Sequence, residues 1–104
     1  MAVAVVWSIA ALKELSTIRR HISQNASPES ATRVTAEITG ATQRLEDFPD
    51  SGRIVPEYVR PDLRELIVSP YRVIYRRTYE AAEIAHIVHT RRNLRGKAFR
   101  DLRR

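Results

Sequence analysis

Three runs rich in β-branched and aromatic residues, LRELIV at 63–68, YRVIYRRT at 71–78 and EIAHIVHT at 83–90, are joined by short turns containing SP and EAA. Parallel strands need a crossover of a dozen or more residues, so connections this short admit antiparallel pairing alone. The rest of the chain must arrange itself around that meander. Period two sorts its side chains. Leu66 and Val68 share one face, and Glu65, Ile67 and Ser69 share the other. Arg72, Ile74 and Arg76 alternate with Val73, Tyr75 and Arg77, and Ile84, His86 and Val88 alternate with Ala85, Ile87 and His89. Neither face of the central strand is purely apolar. One face must meet the rest of the core, which leaves several arginines on the other.

Upstream, AVAVVW at 2–7 reads as a short first strand. Ser8 offers a helix N-cap, and Ala11, Leu15, Ile18 and Ile22 recur at helical spacing, which predicts a helix from about 9 to 24. NASPES breaks it. Ser27 is the next N-cap, Pro28 suits the first helical position and Glu29 favours the positive helix start. Ala31, Val34, Ile38, Ala41, Leu45 and Phe48 form the most regular stripe in the chain, carrying a second helix to Pro49. Gly40 weakens that helix by roughly 1 kcal/mol against alanine and is read as a close approach for the first helix. A short link between two amphipathic helices predicts an antiparallel hairpin. DFPDSGR and RPD are turn chemistry, and IVPEYV between them is an irregular extended stretch. The expected architecture is α+β: an N-terminal strand, then an antiparallel two-helix hairpin packed on an antiparallel sheet with a C-terminal meander. Residues 1–94 form the single domain and 95–104 a basic tail.

At 104 residues, 43% of them hydrophobic, the chain supports one packed core. It has no cysteine, which excludes disulfides, thiolate metal sites and cysteine nucleophiles and suits a reducing compartment. No apolar run approaches the roughly 20 residues that span a bilayer. MAVAVVW is short for a signal peptide and lacks a basic n-region, so a soluble, cytoplasmic protein without a membrane partner is expected. The net charge of +6 is localised. Residues 91–104, RRNLRGKAFRDLRR, hold seven basic groups and one acid, whereas residues 1–90 hold eleven of each sign. Such a segment suits an anionic partner, nucleic acid or acidic protein; the plainer reading is a solvated arm.

The three histidines are His21, His86 and His89, the last two on opposite faces of one strand, with no bracketing carboxylate pair. We expect no metal and no cofactor. Gly40, Gly52 and Gly96 are scattered and make no phosphate-cradling loop, and no nucleophile elbow is present. What remains is Arg72, His89, Arg91 and Arg92, with Arg64 on the neighbouring strand. Arginine is a permanently charged fork that fits phosphate, and histidine can move a proton near neutral pH. Cleaving RNA through its own 2′-hydroxyl needs only a base, an acid and positive charge at the phosphate. Equally, strand arginines commonly pair with carboxylates such as Glu65, Glu80 or Glu83, and His89 could be an ordinary edge residue. Glu57 and Glu65 could orient the arginines or be surface pairs of little energetic value; the reading favours surface pairs.

Four stretches, WSIAALKELSTIRRHI, LEDFPDSGRIVPE, LRELIVSPYRVIYR and IVHTRRN, in this order and spacing, resemble the RelE/ParE toxin superfamily of type II toxin–antitoxin modules. The resemblance runs from Trp7 to about Leu94 and implies a helical hairpin on an antiparallel sheet. It also implies a growth-arresting toxin, a role in plasmid stabilisation, and an antitoxin partner, with a hetero-oligomer of the two as one outcome. RelE-type members are implied to cut mRNA in the ribosome, and ParE-type members to poison DNA gyrase. Arg72 fits the arginine of the RelE-type YR pattern and Arg91 the arginine after the last strand. Arg64 takes one strand-lysine position, Leu66 stands where a second lysine belongs, and Lys97 or Phe99 falls near the expected tyrosine. The nuclease set is therefore incomplete, and the long second helix, FPDSGR and HTRR resemble the ParE branch. A RelE-type mechanism, as a metal-independent mRNA endoribonuclease, would use Arg72, His89 and Arg91. Target or nucleic-acid binding would use Arg64, Arg72, Arg91, Arg92, Arg95 and Lys97.

Overall fold

Ser8 ends a strand and starts a helix in one residue. Its extended backbone lets Oγ accept the Ala11 N–H at 3.0 Å, capping the helix that follows. Its own N–H and hydroxyl donate to the carbonyls of Ile84 and Ala85, at 2.9 and 2.8 Å. The computed structural model describes residues 2–104. In chain order it runs β1 (Ala4–Trp7), α1 (Ile9–Asn25), α2 (Pro28–Gln43) with a 3₁₀ turn at Arg44–Glu46, β2 (Arg53–Ile54), β3 (Leu63–Val68), β4 (Tyr71–Arg77), β5 (Ala81–His89) and a kinked 3₁₀ segment at Lys97–Arg103. The second helix starts as its sequence dictates, with Ser27 accepting the Ser30 N–H at 3.0 Å and Pro28 in the first turn. It tightens before Pro49, so Leu45 is buried but Phe48, the last residue of the stripe, points into water.

The sheet order is β1-β5-β4-β3-β2. The meander pairs antiparallel as expected, but β1 lies parallel to β5, so the sheet is mixed. α1 carries on past the end of β1, where Glu14 holds the Ile87 N–H, and α2 brings the chain back to the start of β1, where the Val3 N–H donates to the Glu46 carbonyl at 2.9 Å. β1 covers only Ala81–Ile84 of β5. Beyond it, Ser8 and the Glu14 carboxylate, which accepts the Ile87 N–H at 3.0 Å, take over the open strand edge.

Strict alternation fails at one place. Ile74 pairs with His86 but Tyr75 pairs with Ile84, which leaves Ala85 as the extra residue of a β-bulge. Ile84 therefore joins Ile87 under the helices instead of sharing the His86 and Val88 face. The core under α1 and α2 contains Ala11, Ile38, Leu45, Val73, Tyr75, Ile84 and Ile87.

The opposite face is not left to water. Val55, Leu63, Ile74, Val88, Leu94, Phe99 and Leu102 form a second buried cluster on it. Residues 95–104, read as a tail, thus supply two core side chains, because Phe99 and Leu102 have an apolar sheet face to fill. Arg60 and Arg76 hold the backbone of this segment through the carbonyls of Leu102 and Asp101, at 2.9 and 3.3 Å.

Gly40 corrects a second expectation. A Cβ there would meet nothing within 4 Å, so it mediates no close approach. A Cβ on Gly52 would instead lie 2.6 Å from the Tyr75 ring and hydroxyl and 2.8 Å from the Glu65 carbonyl oxygen. The Tyr75 hydroxyl receives the Gly52 N–H at 2.9 Å and donates to Pro49 at 2.7 Å, so there is nowhere for that ring to retreat. In urea unfolding, Gly40→Ala should gain roughly 0.5–1 kcal/mol, while Gly52→Ala should lose about 1–3 kcal/mol.

Candidate functional site

The strand arginine that looked most like a phosphate ligand is buried, at 5% exposure. Arg72 faces the second core cluster, and its guanidinium is almost fully engaged. Nε donates to Glu65 Oε1 at 2.7 Å. Nη1 and Nη2 form a fork on Glu57 Oε2 and Oε1, both at 2.8 Å. Nη1 also donates to the Arg92 carbonyl at 2.8 Å. The second oxygen of Glu65 accepts Arg53 Nε at 2.5 Å, and Glu57 Oε2 takes the Leu94 N–H at 3.0 Å. Glu65 is 1% exposed. The expectation of weak surface pairs is thereby overturned: the carboxylates lie where water cannot screen them.

Titration follows the contacts. The Arg72 fork, helped by the Leu94 N–H and opposed by burial, holds the Glu57 carboxyl at about 2. The same fork on Glu57 raises the pKa of Arg72 further, with Glu65 adding to it against the cost of burial.

Around this network lies an open cleft of about 630 Å³ lined by Arg53, Pro56, Ile67, Arg91, Arg92 and Arg95, with Glu57 and Arg72 at its floor. Arg53, Arg91, Arg92 and Arg95 are all exposed. Five guanidiniums meet two carboxylates, which leaves a positive surplus of three on the rim. The loop carrying Glu57 is fixed from several sides. Tyr58 donates to the Leu94 carbonyl at 2.6 Å, and Arg95 Nε and Nη2 donate to the Glu57 carbonyl at 3.1 and 2.9 Å. Its next residue, Val59, has φ 47°, a conformation that costs a β-branched residue of order 1–3 kcal/mol.

The remaining expected residues disperse. Tyr71 pairs with His89 and Arg72 with Val88, so His89 projects from the opposite face to Arg72. Its Nδ1 accepts the Arg91 N–H at 3.0 Å, and its ring lies beside Tyr71, in a separate cleft with Lys13, His21 and Ile18. Arg64 also takes the face away from Arg72 and folds back onto the carbonyls of Pro61 and Gly52, both at 3.0 Å. Lys97 is exposed at the start of the 3₁₀ segment and is not part of the cleft lining. Arg92 lines both clefts and stacks its guanidinium 4.8 Å from the centre of the Phe99 ring. Arg53 escaped the sequence reading because it sat in a stretch read as a turn. Its signal was the two-residue β2, which places it opposite Glu65. Among the described residues no group of three or more His, Asp or Glu side chains could hold a metal ion, and no helix is long and apolar enough to cross a membrane.

Known proteins share this outline. Residues 5–94 match the family described as ParE toxin of type II toxin-antitoxin system, parDE. Toxin RelE2 of Caulobacter vibrioides is 39% identical over 87 residues, covering 84% of this chain and 91% of that protein. Putative toxin Y4kP of Sinorhizobium fredii is 34% identical over 85 residues, covering 80% and 83%. A solved structure titled Chromosomal ParDE TA system from P. aeruginosa superposes with a TM-score of 0.72 at 21% identity, covering 85% of this chain and 96% of that one. The last is a likeness of fold.

The network makes its own prediction. A carboxyl with a depressed folded-state pKa stabilises the fold fully above its ordinary value of 4.5, and that stability is lost as pH falls towards 2. Urea unfolding of Glu57→Gln should show a loss of about 3 kcal/mol at pH 7. Between pH 4.5 and 2 the variant should change less with pH than the wild type.

Proposed function

The chain belongs to the ParE toxin family of type II toxin–antitoxin systems, and from that premise we propose that it arrests growth by binding its target, DNA gyrase, and not by cutting RNA. A cognate antitoxin neutralises it. One observation carries the choice between binding and cleavage: Arg72 is locked between Glu57 and Glu65. Metal-free RNA cleavage needs a base, an acid and a free cation around one phosphate. Here the best-placed cation is already neutralised. The nearest carboxylate, Glu57, is held at about 2 and is a poor base at neutral pH. His89, the proton carrier such a mechanism would use, lies on the other face of the sheet. What the cleft offers instead is exposed guanidinium forks at Arg53, Arg91, Arg92 and Arg95, suited to holding an anionic surface. The match to the ParE family model is what supports gyrase as the target in this reading. For the antitoxin, the same rim favours an acidic segment laid across the cleft, and salt should slow its association.

Purified toxin should inhibit gyrase supercoiling or trap cleaved DNA, and ribosome-bound mRNA should survive it intact. Arg91→Ala, Arg92→Ala and Arg95→Ala should each weaken inhibition by roughly two- to fivefold, additively, as exposed charges do. His89→Ala should leave it unchanged. Cutting of mRNA at the ribosomal A site with gyrase untouched would instead establish the nuclease reading; there Arg72→Ala and Arg91→Ala should each cost about 10² to 10³ in rate.

A further inference from the structure

We propose that residues 97–103 form a pH-releasable latch, fastened to the sheet while His86 carries its second proton and loosened when that proton leaves. His86 is 5% exposed, and both of its ring nitrogens face carboxylates. Nδ1 stands 3.2 and 3.0 Å from the two oxygens of Glu14 on α1. Nε2 stands 3.1 and 3.0 Å from those of Asp101 in the latch. A neutral imidazole has one N–H. In either tautomer the other nitrogen would turn its lone pair on a carboxylate at hydrogen-bond distance. Only the imidazolium donates to both. Burial opposes the charge, but the bonds to Glu14 and Asp101 outweigh it, and the pKa lies above 6.5.

The two ends of this clamp are unequal. Glu14 also holds the Ile87 N–H, whereas His86 is the single side-chain partner of the Asp101 carboxylate among the described residues. Asp101 is also the more exposed carboxylate, its side chain 42% accessible against 28% for Glu14. When the proton leaves, Asp101 is the group free to turn to water. Arg76 of β4, Glu83 of β5 and Arg104 border Asp101 in a small cavity, and Arg92 lies beyond the Phe99 ring. Arg76 is already paired with Asp62 at 3.0 Å, so the carboxylates touching the ring dominate its titration. Phe99 couples the clamp to the cleft. Its ring stands perpendicular to the His86 ring, centroids 4.9 Å apart, and its face carries Arg92 at 4.8 Å. This last consequence, that the latch sets the position of a cleft arginine, rests on the target-binding reading; the latch does not.

The sign is that of a raised folded-state pKa: the clamp is complete below pH 6.5 and is lost as pH rises through the pKa of His86. NMR on the full chain from about pH 5.5 to 9 tests it. The His86 midpoint should lie above 6.5. Amide protection of Phe99 and Leu102, corrected for base-catalysed exchange, should fall about tenfold or more across that midpoint. Val73 and Ile87 should stay protected. His86→Gln keeps a donor but cannot carry the charge, so protection at 97–103 should be low at every pH. Asp101→Asn, altered at a partly exposed side chain, should keep the core and lose the pH dependence. Constant protection across the midpoint, a midpoint at or below 6.5, or wild-type protection in His86→Gln would each overturn the latch. Should His86→Gln fail to fold, the wild-type titration alone decides. None of these readouts involves gyrase, so the latch and the proposed function stand or fall separately.

Discussion

A guanidinium taken out of water organises this protein. Burying an ion costs several kcal/mol, and the cost is offset only when every charged group nearby is paired in good geometry. Arg72 meets that condition through Glu57 from the loop after β2, Glu65 from β3 and the Arg92 carbonyl from the loop after β5. Three separate parts of the chain are thus held at one point. The Arg72 side chain crosses to Glu65 diagonally, because β3 places Ile67 directly opposite it. Slipping that strand by one residue would turn Glu65 to the helical face and take from Arg72 one of its two carboxylates.

The same network divides the basic surface into two kinds of arginine. Arg72 is structural, its charge spent on internal carboxylates. Arg53, Arg91, Arg92 and Arg95 ring it as exposed residues, with Arg53 Nε also on Glu65 and the Arg95 fork on the Glu57 carbonyl. Pro56 and the half-exposed Ile67 give the cleft an apolar patch between them. His89 stands apart from this surface, since His89 and Arg72 emerge from opposite faces of adjacent strands.

Covering both faces of the sheet makes this possible in a short chain. The helices cover one. The other is covered by Val55 and Leu94 from loops and by Phe99 and Leu102 from the kinked 3₁₀ segment. Those segments carry Glu57 and most of the cleft arginines, so the second core is also the scaffold of the site. Its apolar members were hard to single out in the sequence. Phe99 and Leu102 stand among five basic residues of 95–104, and local composition there speaks for solvent.

Local chemistry was legible throughout. Ser8 and Ser27 cap helices, the stripes of both helices face the sheet, and the meander pairs as its short turns require, because caps, 3.6-residue periodicity and turn length act within a few residues of chain. The family resemblance was equally readable from short stretches in order. Only the folded chain decided that β1 runs parallel to β5, that a bulge at Ala85 moves Ile84 to the helical face, and that Glu57 and Glu65 are buried partners of Arg72. Each depends on residues far apart in sequence meeting where water is excluded. A carboxylate on a strand reads the same whether it faces solvent or a buried arginine, and the choice is made by what packs above it.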